Sequence, residues 1–483
     1  MNIIFKMNVD DYPVLRLEEY INMDMEKFIK SNENDLLEAT REILKIDSVK
    51  SSPLPGMPFG GGPAMALQYA LNLAESFGLE TKNLENYAGW AELGEGDELI
   101  GILAHLDVVP EGSGWTYPPY GGEIHDGKIY GRGAIDDKGP AMAALFALKS
   151  LKDSGINLNK RVRVIFGTDE ESGCECMKYY LKHDEKLTMG FSPDANYPII
   201  NGEKGILTFS FANSFANEEG KSGVKIVSFK GGHRPNMVPD YAEAHLLGDI
   251  GEIKSIAENY KDEIPGDFKI EQNDNEIIVK SYGVSAHASR PQKGKNAAML
   301  LVKLLGKIKL IDTQYEFIEF LNSMIGLDNT GKAFGIDFED DISGILSLNV
   351  GIVEFDQNRA AVTVNIRYPI RYSSDQVINQ IRKNTPDYID IVDIYDNKPH
   401  YVPEDNILIQ KLKLAYEKIT GEKAYCLSIG GGTYARMFDN CVAFGPNFPG
   451  DPDLAHQKDE YIEIDNLLKN LRIYTYVLKE LAQ

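Results

Sequence analysis

Residues 98–106, ELIGILAHL, form a near-continuous apolar run ending beside a histidine. A short run of that kind is expected for a central strand covered on both faces. Working outward, the same texture recurs. Residues 138–151, KGPAMAALFALKSL, are apolar on most faces and predict a buried helix, and 161–166, RVRVIF, predict the next strand. Helices are also expected over 34–46, 62–79 and from Glu171 to Leu181. Alternation of helix and strand argues for an α/β domain with a mixed, largely parallel sheet flanked by helices.

From about Gly205 the pattern changes to alternating strands at 206–212, 224–229, 277–283, 345–351 and 360–368, with helices near 252–262, 296–308 and 314–325. That reads as an α+β domain. The α/β texture returns near Asp393 and runs to an amphipathic helix over 464–481. The expected organisation is one discontinuous domain, 1–205 with 393–483, interrupted by an inserted lid domain over 206–392.

A chain of 483 residues exceeds the length at which one core stops growing, which suits this division. Lys and Arg number 50 against 73 Asp and Glu, a formal charge of -23. That balance disfavours nucleic acid and anionic membrane as partners, since both call for a basic face. The first segment, MNIIFKMNVDDYP, lacks the length and the small-residue cleavage site of a signal peptide, and no apolar run approaches a membrane span. Cys174, Cys176, Cys426 and Cys441 fit reduced thiols in a cytoplasmic protein better than a disulfide framework.

The chemistry-bearing residues sit where strands give way to loops. His105 and Asp107 lie two apart at the end of the first strand, so both side chains face one way, and a carboxylate there can orient a metal-binding imidazole. Asp136 and Asp137, in GRGAIDDKGP, are adjacent acids in an apolar stretch; they call for a cation, although acids are also welcome at a helix start. Glu170 and Glu171 follow the strand RVRVIFGTD; one can bind metal while the other faces the attacking water as general base. Glu170 is assigned as base and Glu171 as ligand, an order the residues alone leave open. Asp194, in SPDANYP, and His456, in DLAHQKDE, complete the series. Several strand ends delivering His and carboxylate to one rim is how an α/β sheet builds a metal-dependent hydrolytic site. His125, His183, His233, His245 and His400 lack such company and read as structural or surface residues.

Taken together, HLDVVP (105–110), GRGAIDDKGP, TDEESG, SPDANYP, SAHAS (285–289) and LAHQKDE resemble the motifs of the aminoacylase/carboxypeptidase family of co-catalytic zinc peptidases. PFGGGPAMAL (58–67), GGGTYAR (430–436) and NFPGDPDLAHQKDE (447–460) are similar to its peptidase V branch of bacterial dipeptidases. The resemblance implies two divalent metal ions, zinc with manganese or cobalt as alternatives, sharing Asp136. One would be completed by His105 and Asp194, the other by Glu171 and His456. It also implies a cis peptide between Asp136 and Asp137, Asp107 holding His105, and His287 stabilising the oxyanion. Asn236, Arg367 and the glycines Gly431 and Gly432 would contact substrate. The implied activity is hydrolysis of short peptides with a free N-terminus, by a monomer; N-acyl-amino-acid deacylation or desuccinylation at the same metals is the alternative. A non-catalytic metal-binding scaffold predicts a missing base or ligand, yet every position is filled.

Overall fold

The computed structural model describes residues 14–215 and 222–483, with side chains described from Met25 onward; the segment MNIIFKMNVDDYP lies outside the described residues. The chain divides into two compact units. One comprises the chain up to Asn201 with Val402–Leu427 and Thr433–Gln483, and the other Gly202–Tyr401 with Ser428–Gly432.

In the first unit, helices α1 (Val14–Leu44) and α2 (Gly61–Ser76) precede strands β1 (Glu80–Leu84), β2 (Ala88–Leu93) and β3 (Leu99–His105). Helix α3 (Lys138–Ser154), β4 (Arg161–Gly167), α4 (Glu175–His183), β5 (Met189–Ser192) and β6 (Ile199–Glu203) follow. The later segment adds β7 (Cys441–Ala443) and the terminal helix α5 (Ile464–Ala482). The sheet order runs β1-β2-β4-β3-β5-β7-β6, and the short strands His400–Tyr401 and Cys426–Ile429 pair with β6 beyond it. Its centre, β4-β3-β5-β7, is parallel, while β1, β2 and β6 join antiparallel at the sides.

Every residue of β3 is buried. Ile100, Ile102 and Ala104 enter the core formed with α1, α3 and α5, whereas Leu103 joins Trp90, Ile165, Met177 and Tyr180 in a separate core that includes α4. Side chains alternate across a strand, so a strand buried this way needs helices on both faces. The protein is therefore α/β in this unit, as the apolar run of β3 predicts. Helix α4 starts at Glu175 instead of Glu171, because the preceding residues form a turn whose N–H groups bond elsewhere.

The second unit is α+β. Its antiparallel sheet has the order Asp267–Asn273, Glu276–Tyr282, Tyr241–Leu247, Lys225–Gly231, Ser347–Asp356, Arg359–Tyr368, Gly205–Ser214, Asp390–Asn397. Helices Ala297–Leu305 and Asp312–Met324 bury Leu300, Leu301, Phe317 and Leu321 in its core. The boundary expected at Asp393 falls at Val402, because Asp390–Asn397 pairs with Gly205–Ser214 and so stays with the second unit. Among the described residues no helix is long and apolar enough to cross a membrane.

Candidate active site

His105 ends β3, with its main-chain N–H donating to the Asp137 carboxylate at 3.2 Å. Its ring is fixed from below: Nδ1 donates to the main-chain carbonyl of Asp107 at 2.9 Å, leaving Nε2 as the acceptor that can face a cation. The Asp107 carboxylate lies farther off, 3.6 Å from Nδ1. Its oxygens accept the main-chain N–H groups of Glu170 at 3.0 Å and Glu171 at 3.1 Å. Asp107 thus holds His105 through its backbone and holds the glutamate turn through its side chain.

The Asp136 carboxylate lies between two imidazoles. Oδ1 is 2.9 Å from His105 Nε2, and Oδ2 is 3.3 Å from His456 Nε2. His456 Nε2 also lies 3.0 Å from Glu171, and His105 Nε2 lies 3.9 Å from Asp194. Single donor atoms of His105, Asp136 and Glu171 fall within 4.8 Å of one another, as do those of His105, Glu170 and Asp194. The seven residues His105, Asp107, Asp136, Glu170, Glu171, Asp194 and His456 are therefore one cluster.

The backbone explains how each side chain arrives. Gly133, at φ 88°, turns the chain in the left-handed region just before Asp136, and the Asp136–Asp137 peptide is cis. His456 itself has φ 64°, a conformation that costs a non-glycine residue about 1–2 kcal/mol. Its loop is pinned on the far side, where Thr116 donates from its N–H (2.6 Å) and hydroxyl (3.0 Å) to Asp459. Glu460 then accepts from buried Arg132 at 2.6 Å and from the N–H groups of Ile135 (3.0 Å) and Asp136 (3.3 Å).

Arg132 and Glu460 hold together the segments bearing Asp136 and His456, and the motif reading passes over both. The available signal was an arginine and a glutamate lying inside two otherwise ligand-bearing strings, GRGAIDDKGP and LAHQKDE.

The donor set fits divalent cations. Burial, reinforced by the Asp194 charge, holds Glu170 well above the usual carboxyl range, and burial likewise raises Glu171 and Asp194. Burial opposes protonation of His456, yet bonds to Asp136 and Glu171 outweigh it and lift the imidazole to about 11. His105 is raised in the same way, its bonds to Asp107, Asp136 and Asp194 overcoming burial. Protons on these groups offset a concentration of buried negative charge that a cation would neutralise directly.

The remaining predicted residues belong to the second unit. Main-chain bonds from Ala288 to Asn236 (2.8 Å) and from Val238 to Ala286 (2.8 Å) bring Asn236 beside His287. Both side chains are exposed. Arg367 is buried rather than solvated as strand arginines usually are, its Nε donating to Asn365 at 2.8 Å and its Nη1 to the Gly430 carbonyl at 2.7 Å. It thereby orients the loop that contains Gly431 and Gly432.

Comparison with known proteins accords with this arrangement. The family model described as Peptidase family M20/M25/M40 matches residues 101–480. The chain is 45% identical over 469 residues to a Bacillus subtilis (strain 168) protein named "Putative dipeptidase YtjP", covering 95% of this chain and 100% of that one. It is 35% identical over 470 residues to the Beta-Ala-Xaa dipeptidase of Lactobacillus delbrueckii subsp. lactis, covering 96% and 99% respectively. In fold it is similar to the crystal structure of human carnosine dipeptidase 1, with a TM-score of 0.56, 16% identity and coverage of 95% and 99%. With similarity running along nearly its whole length, the chain belongs to peptidase family M20/M25/M40 and is a peptide hydrolase.

Proposed function

We propose that this protein is a metal-dependent dipeptidase acting on short peptides with a free N-terminus. The observation that carries the reading is the Asp136 carboxylate, which turns one oxygen to His105 and the other to His456. A carboxylate so placed suits a bridge between two divalent ions, zinc or else manganese or cobalt. His105 and Asp194 would complete one ion, and Glu171 and His456 the other. When bound, such ions supply Lewis acidity that polarises the scissile carbonyl and lowers the pKa of the attacking water.

The protein's own groups do the rest. Glu170 takes the water proton on its carboxylate and delivers it to the leaving amine as the C–N bond breaks. Its raised affinity for protons, caused first by burial, suits a group that must both accept and return one. Asp107 keeps Glu170 and Glu171 in register through their main-chain N–H groups. The unit containing Gly202–Tyr401 serves as the lid, His287 donating an N–H to the oxygen that becomes negative. Arg367 receives the terminal carboxylate, while Asn236, Gly431 and Gly432 line the substrate. We place the enzyme in the cytoplasm as a monomer; its four free cysteines accord with a reducing compartment.

Assays of the metal-reconstituted protein on dipeptides, a tripeptide and N-acyl amino acids test this reading. Turnover of free-amine dipeptides is expected, with Glu170→Gln retaining metal and losing nearly all rate. Preference for N-acyl amino acids would replace it with deacylation at the same residues, and full activity in Glu170→Gln would remove the assigned base.

A further inference from the structure

The string SAHAS places Ser289 two residues after the histidine, and its contacts decide which nitrogen of that histidine carries the proton. Ser289 Oγ lies 2.7 Å from His287 Nδ1, and the Ser289 main-chain N–H points at the same nitrogen at 3.3 Å. A main-chain N–H can only donate, so Nδ1 must present its lone pair. The hydroxyl, free to rotate, then adds a second donor to the same atom. A neutral imidazole whose Nδ1 accepts must hold its one proton on Nε2.

We propose that Ser289 is a positioning residue that fixes His287 as the Nε2–H tautomer, so that the ring presents a donor to the substrate oxygen that becomes negative. This rests on the assignment of His287 to that oxygen. The opposite tautomer would turn a lone pair toward Nε2's target and repel the developing charge instead of stabilising it.

Ser289 is itself held in place by the glycine loop. A Cβ added at Gly430 would lie 2.6 Å from Ser289 Cβ, closer than side chains approach, so a glycine is required for the serine to pack there. The carbonyl of that glycine accepts from Arg367 at 2.7 Å. Gly430 therefore ties the setting of the His287 ring to the setting of the Arg367 guanidinium, and both belong to the same compact unit.

The test uses the full-length metal-loaded enzyme with ¹⁵N-labelled histidine, the His287 ring resonances being identified by their loss in His287→Gln. Two-bond ¹⁵N–¹H correlations are expected to show the wild-type proton on Nε2 and an unprotonated Nδ1. Ser289→Ala should lower kcat about fivefold, the net worth of one hydrogen bond, with KM changed less than about twofold and with both tautomers visible. Ser289→Thr, which keeps the hydroxyl, should recover rate and tautomer together and so guards against a mere packing defect in the alanine variant. A wild-type proton on Nδ1 overturns the proposal, as does wild-type kcat in Ser289→Ala. Wild-type kcat in His287→Ala is a different failure: it removes the oxyanion assignment, and with it the catalytic purpose of Ser289, while the ring tautomer is read independently of activity.

Discussion

Glu460 accepts the buried guanidinium of Arg132 at 2.6 Å while its other oxygen takes the main-chain N–H of Ile135, one residue before Asp136. Arg132 also donates to the Gln457 carbonyl at 3.1 Å, next to His456. The pair thus clamps the strand of chain bearing Asp136 to the loop bearing His456. Glu460→Gln should weaken metal binding or activity about 10- to 100-fold, the usual effect of disturbing groups that orient ligands. Metal titration of the apoprotein measures it; an unchanged affinity and rate would make the clamp a matter of folding alone.

Asp107→Asn replaces one carboxylate oxygen with an amide that cannot accept from Glu170 or Glu171. The backbone carbonyl that holds His105 is unchanged by this substitution. The glutamate turn should loosen while His105 keeps its orientation, and kcat should fall at least about tenfold with dipeptide KM little altered. Steady-state kinetics separates this from a KM effect, which would point to substrate contact instead.

Metal binding should expel protons. In the metal-free protein His456 is lifted to about 11, so its ring is protonated at neutral pH, and His105 is shifted in the same direction by its carboxylate neighbours. A metal ligand must be deprotonated, so each bound proton has to leave, and affinity should fall as pH falls. Calorimetry in buffers of different ionisation enthalpy reads the protons released. Binding heat that is the same in every buffer would contradict the prediction.

Arg367→Lys retains the charge but cannot reproduce the planar fork that meets Asn365 and the Gly430 carbonyl. It should reduce kcat/KM about 10- to 100-fold, chiefly through KM, if a substrate carboxylate is bound in two-point fashion. Dipeptide amides, which lack that carboxylate, should discriminate little between the two enzymes. Equal losses on acids and amides would confine Arg367 to holding the loop.

Acid sensitivity should trace in part to Asp184, which is not among the clustered ligands. Burial alone would raise this carboxyl, but bonds from Lys82, Trp90, the Glu185 N–H and Arg163 outweigh it and hold the group well below the usual carboxylate range. A depressed carboxyl stabilises the fold above its unfolded pKa and loses that contribution as pH falls through the folded one. Asp184→Asn should therefore cost about 2 kcal/mol near neutrality and less as pH drops below about 4. Denaturant melts at both pH values give the comparison, and a pH-independent loss would rule out the ionised form as its source.

Much of this was legible in the residues. ELIGILAHL reads as a doubly covered strand because its apolar run has no polar face to expose, and Leu99–His105 is that strand. The clustered side chains were also visible, since acids and imidazoles at strand ends have few uses besides binding. Other features depend on contacts that no local pattern encodes. Glu171 looks like the first turn of a helix until the Asp107 carboxylate, from a distant strand end, takes its N–H and delays the helix to Glu175. Helix α1 reaches back to Val14, twenty residues before the stretch NDLLEATREILKI that reveals it, because polar residues interrupt its periodicity. Ser289 and Glu460 look like ordinary polar residues until their acceptors and donors are located.

The Asp136 carboxylate needs imidazoles from two segments far apart in sequence, one at position 105 and one at position 456. During synthesis, then, the shared carboxylate gains its second imidazole only after the whole Gly202–Tyr401 segment has been made.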